Sequence, residues 1–555
     1  MSNDRLIYLP LGGAGEIGMN CYVYGYGPKG RERFIIVDLG VAFPDMDGSP
    51  GVDLIFADIA WIAERRNRLD AIFITHAHED HVGAIGMAWS RLRVPVYARA
   101  FTAGHAQRKM EEHGQDPAQV KIVSAWPAMT QAGPFSVGFL PISHSIPESS
   151  ALVIDTPEGR IIHTGDFKLD KTPLVGEAYD PELWAEVARD GVKALICDST
   201  NVFSTHPGRS EASLGDNITK LIKKQPGMVV ATTFASNVAR VRTLAVAADR
   251  AGRSVCLLGR AMQRMVEASK QAGVLPDFPN TIAIEDARDM PRESLMLIVT
   301  GSQGERRAAS AQLSRGKYLG MSMEEGDTFF MSSKIIPGNE RGVHRIINAY
   351  SEMGVDVVDD NNGMYHVSGH ANRPDLLEMQ DLVKPQVVIP MHGEHRHLRE
   401  HCKLTNTAGR LSVLAPNGTC VSLSGNEPKV VEYVETGRTY LDGSVQIGAM
   451  DGVVRDRIRM ALNGHAVVTL IIDENDEPLG DPWVETMGLP ETGRSGTALV
   501  DVLEADLAQV LGRAAEKVLV DDDKLDDLMR RAVRNTANNE IGRKPEVTVV
   551  VSRLS

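Results

Sequence analysis

The run Phe-Ile-Thr-His-Ala-His-Glu-Asp-His-Val-Gly at residues 73–83 places His76, His78, Asp80 and His81 within six positions, just after an apolar, strand-like stretch. Imidazoles packed that closely repel one another if protonated and need many partners if buried. A metal ion resolves both problems, because each neutral ring then offers a lone pair to a shared cation. His76 and His78, two residues apart, face the same side of an extended segment. Asp80 and His81 fall on the turn that follows, ahead of a helix expected from Val82, and can reach a second ion. Imidazoles combined with carboxylates suit zinc or manganese.

Two ions need about seven ligands plus a bridge, so further donors must lie downstream. His144 stands between Pro141 and Pro147, two residues that stiffen its loop. Asp166, in His163-Thr-Gly-Asp-Phe167, ends another apolar run at a glycine turn, and His392, in Val388-Ile-Pro-Met-His-Gly-Glu394, does the same. Singly, each reads as an ordinary turn or capping residue. Their shared context, an apolar strand ending in a Gly- or Pro-bearing turn, is what sets them apart. Asp38, in Ile35-Ile-Val-Asp-Leu-Gly40, fits that context too and is placed to orient a ligand histidine from behind.

The elements that must hold these residues are short β runs: Phe34–Val37, Ala71–Thr75, Pro95–Tyr97, Phe135–Leu140, Ala151–Ile154, Ile161–Thr164 and Ala194–Cys197. Helical patterns at Gly83–Arg93 and Pro181–Arg189 separate several of them, which predicts a mixed α/β layer architecture. Gly13-Ala14-Gly15-Glu16-Ile17-Gly18 fits a dinucleotide fingerprint, but Met19–Tyr24 follows with strand-like residues where a helix is needed. A strand–turn–strand reading is better. From Ser213 to about Tyr365, strand and helix patterns alternate regularly, predicting βαβ units and a parallel sheet in an inserted domain. Strands are expected again in PQVVIPMHG and RLSVLAP beyond His366. Residues 436–450 are turn-rich and read as a linker, and the remainder reads as a small α+β domain with helices Ala505–Val518 and Lys524–Arg534. The division expected is 1–212 and 366–435 for the metal-bearing domain, 213–365 for the insertion and 451–555 for the tail, whose expected task, as it carries no dense ligand cluster, is assembly.

Composition narrows the function classes. A chain of 555 residues exceeds one core, and three or four domains are expected. No apolar run reaches the roughly 18–20 residues of a membrane span, and the first residues lack a signal-peptide pattern, so a cytoplasmic protein without membrane association is expected. Cys21, Cys197, Cys256, Cys402 and Cys420 are scattered and never form a CxxC pair, which reads as reduced core thiols. The net charge of −14 argues against nonspecific coating of nucleic acid. It does not exclude a local basic cleft, and two divalent ions would add positive charge that the formal count omits.

HAHEDH, with the His144, Asp166 and His392 segments behind it, resembles the metallo-β-lactamase fold, an αββα sandwich. The insertion resembles the β-CASP subgroup, which processes nucleic acids. Gly12–Asn20 (GGAGEIGMN), Asp198-Ser-Thr-Asn201, Phe234-Ala-Ser-Asn237, Thr300–Glu305, Ile336-Pro-Gly-Asn-Glu340, His366-Val-Ser-Gly-His370 and Met391-His-Gly-Glu394 are similar to strings of the ribonuclease J family, in order from about Leu6 to Gly425. The tail resembles that family's C-terminal domain more loosely. The resemblance implies that His76, His78 and His144 hold one ion, that Asp80, His81 and His392 hold the other, and that Asp166 bridges them. It also implies an acid–histidine pair of Asp198 and His370 beside the leaving 3′ oxygen. Catalytic roles thus fall to Asp80, Asp198, His370 and His392. A terminal-phosphate pocket is implied at His366, Val367, Ser368, Gly369, His370 and Ala371, whose small glycine turn exposes consecutive N–H groups. A base-stacking site is implied at Phe234, Ala235, Ser236 and Asn237. Ala239, Ala261 and Arg306 depart from the family's usual residues without touching an expected ligand.

The expected activity is a metal-dependent 5′→3′ exonuclease, with endonuclease capacity, on single-stranded RNA bearing a 5′-monophosphate. It leaves 5′-phosphates and serves RNA decay and ribosomal RNA processing. Zinc is expected, with manganese the alternative. A homodimer or homotetramer and RNA-decay complex partners are implied. The rivals are another nuclease of this fold (tRNA 3′ processing or DNA), and an RNA-binding scaffold without turnover.

Overall fold

The structure is a computed structural model that describes residues 4–45, 47–336, 338–360, 363–425 and 427–554. Pro337, in the Ile336–Glu340 string, lies outside the described residues. The chain divides into two compact units, one of residues up to Ala42 with Phe56–Arg438, the other of Phe43–Ile55 with the residues from Thr439 on.

The first unit contains two facing sheets. One has eight strands in the order Lys429–Tyr433, Thr419–Ser422, Asp4–Gly12, Cys21–Pro28, Arg33–Val37, Leu69–Phe73, Val96–Ala98, Val120–Ile122. The other has six, in the order Met129–Ala132, Phe135–Pro141, Ser150–Thr156, Gly159–His163, Ala194–Asp198, Val387–Met391. Alternation builds the core between them: Tyr22 and Tyr24, Ile35 and Val37, Phe135, Val137 and Phe139, and Ile389 and Met391 all point inward from positions two apart. The opposite face of the six-stranded sheet, with Val153, Ile162, Leu195 and Val388, packs on Trp184 and Met379 of the helices Pro181–Ala188 and Arg373–Val383.

Strand direction decides where the chemistry sits. Arg33–Val37 and Leu69–Phe73 pair in parallel, as do Gly159–His163, Ala194–Asp198 and Val387–Met391. Phe135–Pro141 runs the same way as Gly159–His163, because both are antiparallel to Ser150–Thr156. Asp38, His76–His81, His144, Asp166, Asp198 and His392 therefore all lie at or just beyond the C-terminal ends of strands, where loops of a layered α/β fold gather. The insertion leaves after Asp198 and returns to the neighbouring strand, whose Met391 is in register with Asp198.

The insertion is the expected parallel sheet, ordered Ser254–Leu258, Leu295–Val299, Val229–Thr232, Thr328–Met331, Asp356–Val358. Its strands are apolar on both faces, and each face has its own helix-covered core. In the second unit the strands Trp483–Met487, His465–Ile472 and Glu546–Arg553 pack on the helices Leu499–Leu511 and Asp522–Ile541 through Leu503, Leu507, Met529 and Val533.

Some local expectations fail. The helix after the histidines starts at Glu79, not Val82, because His78 is extended and Asp80 and His81 already take the first turn. RLSVLAP forms only a bridge at Ser412 with Val388 instead of a strand. The stretch read as a linker folds as the hairpin Arg438–Asp442 and Val445–Gly448, closed by Gly443-Ser444, since a tight glycine turn joins strands as readily as it breaks them. The tail helix expected at Ala505–Val518 begins at Leu499 and stops at Leu511, where Gly512 follows. No described helix is long and apolar enough to cross a membrane.

Candidate metal centre

The turn at residues 76–81 is held by backbone contacts that tolerate no side chain. Leu39 N donates to His81 O at 2.8 Å, and a Cβ at Gly40 would lie 1.6 Å from Asp80 O. Asp38 adopts φ +62° and His392 φ +48°, left-handed conformations uncommon outside glycine, though Asp and His take them more readily than most, and found at sites whose surroundings over-determine the backbone.

Among the described residues two ligand groups share one carboxylate. In His76, His78, His144 and Asp166, and again in Asp80, His81, His392 and Asp166, one donor atom from each residue lies within 4.8 Å of the others. His76 Nε2 and His144 Nε2 each lie 3.1 Å from His78 Nδ1. His144 Nδ1 donates to Gly369 O at 2.6 Å, which leaves its Nε2 lone pair facing the cluster. His81 Nδ1 donates to Asp38 Oδ2 at 2.7 Å, so its Nε2 faces Asp166 Oδ2 at 3.2 Å. Asp38 is itself fixed by Thr75, through N–H to Oδ1 at 2.8 Å and Oγ1 to Oδ2 at 2.9 Å. His392 Nδ1 lies 2.8 Å from Asp166 Oδ1 yet is not aligned as a hydrogen bond, so this buried carboxylate oxygen has no donor. Lone pairs turned toward each other around an orphaned oxygen fit a cation set, and such donors fit a divalent metal.

The charges divide the cluster into two groups. Burial pushes His76 and His144 well below the ordinary imidazole range and His78 down to about 4. These three rings are neutral donors at neutral pH. Burial also lowers His81 and His392, but the carboxylates around them together outweigh it, Asp166, Asp80 and Asp38 for His81 and Asp166 with Asp198 for His392, and both are raised. Asp166 is raised by burial and pulled far below the carboxylate range by His392, His81 and His370.

Asp198 and His370 meet at the rim, with His370 Nδ1 donating to Asp198 Oδ2 at 2.8 Å. Burial depresses His370, but Asp198 and Asp166 prevail and raise it to about 9. Asp166, Asp198 and His370 also form a compact group of their own. The turn from His366 to Ala371 is pinned from below: Asn201 Nδ2 donates to Ser368 Oγ at 2.7 Å and to His370 O at 3.3 Å. Gly369 is required there, since a Cβ would lie 2.9 Å from His144 Cε1. Val367 and Ala371 are buried in flanking cores. Phe234, Ala235 and Ser236 are partly exposed on the loop after the strand Val229–Thr232, and none is hydrogen-bonded to the ligand cluster. Asn237 instead caps the next helix, accepting from Arg240 N at 2.9 Å. Ala239 is buried in that helix, whereas Ala261 and Arg306 are exposed.

Sequence reasoning assigned no role to Asn20, whose Nδ2 donates to Asp80 O at 2.9 Å and lies 3.1 Å from His81 Nε2. Nor did it single out Asn201, Arg240 or Glu211. The only available signal was their membership in, or nearness to, the GGAGEIGMN, DSTN and FASN strings.

Comparison with known proteins decides the family. Residues 15–228 match the metallo-beta-lactamase superfamily, 226–350 the ribonuclease J beta-CASP domain, 354–416 the Zn-dependent metallo-hydrolase RNA specificity domain, and 452–554 the ribonuclease J C-terminal domain. Ribonuclease J of Sinorhizobium meliloti is 41% identical over 100% of this chain and 98% of its own length. The chain belongs to the ribonuclease J family. Other ribonuclease J relatives include that of Mycobacterium tuberculosis, 33% identical over 99% of this chain and 98% of its own, and that of Thermus thermophilus, 31% identical over 99% and 95%. A solved Enterococcus faecalis protein of unknown function, 16% identical, shares the fold with a TM-score of 0.53 over 75% of this chain and all of its own. As a ribonuclease J family member the chain is a metal-dependent ribonuclease: a metallo-β-lactamase domain with a β-CASP insertion, a ribonuclease J C-terminal domain, RNA as substrate and divalent metal at the His/Asp cluster.

Proposed function

We propose that the chain degrades single-stranded RNA stepwise from a 5′-monophosphate end, leaving 5′-phosphate products, and also cuts internally when RNA enters without a docked end. The observation that carries this reading is the His144–Gly369 hydrogen bond of 2.6 Å. It joins the glycine turn to the ligand cluster, so a terminal phosphate held at the turn lies next to the scissile linkage. Each cut regenerates the group that the turn recognises.

His76, His78 and His144 would hold one ion and Asp80, His81 and His392 the other, with Asp166 shared. Two bound ions supply an activated hydroxide and charge neutralisation at the phosphate. Zinc is the ion we assign from the imidazole–carboxylate donors, and manganese is its competitor. Asp38 orients His81. His370, carrying a proton at Nε2 while Asp198 holds Nδ1–H, is placed to give that proton to the departing 3′ oxygen. Ser368 and the N–H groups of residues 368–371 receive the 5′-phosphate, and Phe234 with residues 235–237 supports a base. We assign residues 1–212 and 366–435, apart from Phe43–Ile55, to the catalytic domain, 213–365 to the insertion, and the residues from Thr439 on, with Phe43–Ile55, to assembly as a homodimer or homotetramer. A cytoplasmic setting and partners in an RNA-decay complex complete the reading.

The test uses one RNA, labelled internally and at its 3′ end, with a 5′-monophosphate, triphosphate or hydroxyl, incubated with zinc or manganese beside a His78→Ala control. Early mononucleotides from the monophosphate form alone support the exonuclease. Internal fragments insensitive to the 5′ group make the chain chiefly an endonuclease. Absence of metal-dependent cleavage of any RNA overturns the reading in favour of DNA cleavage or a scaffold.

A further inference from the structure

One fully buried charge lies outside the mechanism above. Arg240, in the helix Val238–Arg250, has no exposed surface. Its guanidinium forks onto buried Glu211, Nε to Oε1 at 2.7 Å and Nη2 to Oε2 at 2.9 Å. Nη1 donates to Ser332 O at 2.7 Å and to Ser332 Oγ at 3.1 Å, and Nη2 donates to Val367 O at 3.3 Å. Nη1 also lies 3.0 Å from His366 Nδ1. Buried ion pairs are a poor source of stability compared with apolar packing, so what this pair holds in place matters more than its energy.

A guanidinium offers donors only. With Arg240 donating to it, His366 Nδ1 accepts, and the ring's proton then sits on Nε2. Burial, together with the nearby cations Arg240, Lys334 and Arg209, holds His366 well below the ordinary imidazole range, as a neutral ring requires. Arg209 Nη2 donates to His366 O at 2.7 Å, while Asn201 fixes the far end of the same turn.

We propose that Arg240 is a positioning residue for recognition of the RNA 5′ terminus: by holding Val367 O and His366 Nδ1 it sets the 366–371 turn with His366 as a neutral Nε2–H donor. This inference rests on the terminal-phosphate reading above. Preference for a 5′-phosphate then depends on a side chain that never meets RNA, contributed by the insertion.

The test measures kcat/KM for one RNA carrying either a 5′-monophosphate or a 5′-hydroxyl. It compares wild type, Arg240→Met and the double variant Glu211→Gln/Arg240→Met, which leaves no lone buried charge. The monophosphate-to-hydroxyl ratio is expected to fall about tenfold or more in both variants, through KM of the phosphate-bearing RNA. An unchanged ratio, with both RNAs losing alike, makes Arg240 merely structural and overturns the proposal. A second pair leaves the ion pair intact: His366→Gln keeps a donor at the Nε2 position and retains more of the ratio than His366→Asn, which fills only the Nδ1 position. The opposite order refutes the tautomer. A wild-type ratio near one identifies a different failure, that of the terminal-phosphate reading itself, and the proposal falls with it.

Discussion

Asp38 shows how a residue behind the donor cluster fixes one within it. It accepts from His81 Nδ1 and from Thr75, so it fixes both the ring and the backbone that starts the ligand turn. Asp38→Ala is expected to weaken metal binding or turnover by about 10–100-fold, the range typical of losing a ligand's outer partner. Metal content after dialysis and kcat at saturating metal check it, and an unaltered metal content with normal kcat would exclude the role. Glu211 carries a pH prediction. Burial raises its carboxyl, but Arg240 outweighs that and holds it below the usual range. A depressed folded value contributes stability above the unfolded pKa of about 4.3 that is lost as pH falls through the folded one. Glu211→Gln leaves Arg240 buried and alone, so at pH 7 it is expected to cost about 3–5 kcal/mol. The gap from wild type should narrow below about pH 4.3. Urea unfolding at several pH values measures this, and a pH-independent gap would contradict it.

At the scale of elements, the start of the helix Arg373–Val383 fixes where the 366–371 turn must end. Asp375 Oδ2 accepts from Asn372 N at 2.9 Å and from Gly208 N at 3.0 Å, joining the segment after Asp198 to the segment after His370. Asp375→Ala strips acceptors from both N–H groups and is expected to cost about 1–3 kcal/mol of stability. Chemical denaturation reads the loss, and a change within about 0.5 kcal/mol would mean that water or a neighbour takes over. The same logic explains the strand ends. Parallel strands that finish on one edge deliver Asp38, Asp166, Asp198 and His392 together, although up to 354 positions of sequence separate them.

For the whole molecule, the division of the chain is not a simple cut near residue 438. Phe43–Ile55 belongs to the C-terminal unit, where Asp53 N donates to Leu441 O at 2.8 Å and Asp53 Oδ2 accepts from Gly443 N at 2.8 Å. A chain ending at Arg438 lacks these partners. It is expected to be cleaved within Phe43–Ile55 by low protease concentrations that leave the full chain uncut there. Mass spectrometry of the fragments decides it, and identical cleavage of both chains would show that the segment holds its form alone.

Local chemistry was legible in the sequence. His76-Ala-His-Glu-Asp-His81 declares a metal site because ligand type and spacing are properties of a few consecutive residues, and strands such as Ala194–Asp198 are legible because a short apolar run is local too. The break at residues 436–450 was legible as turn chemistry but not as a hairpin, since a glycine turn looks the same whether or not its flanks pair. RLSVLAP has strand-like residues yet gains no strand, because pairing depends on neighbours that sequence does not name. Tertiary structure alone decided that Arg240 meets His366 across 126 positions, that Asn201 meets Ser368, and that Phe43–Ile55 joins the tail. Those contacts follow from the register and direction of distant strands, and registers are settled by the packing of the whole core.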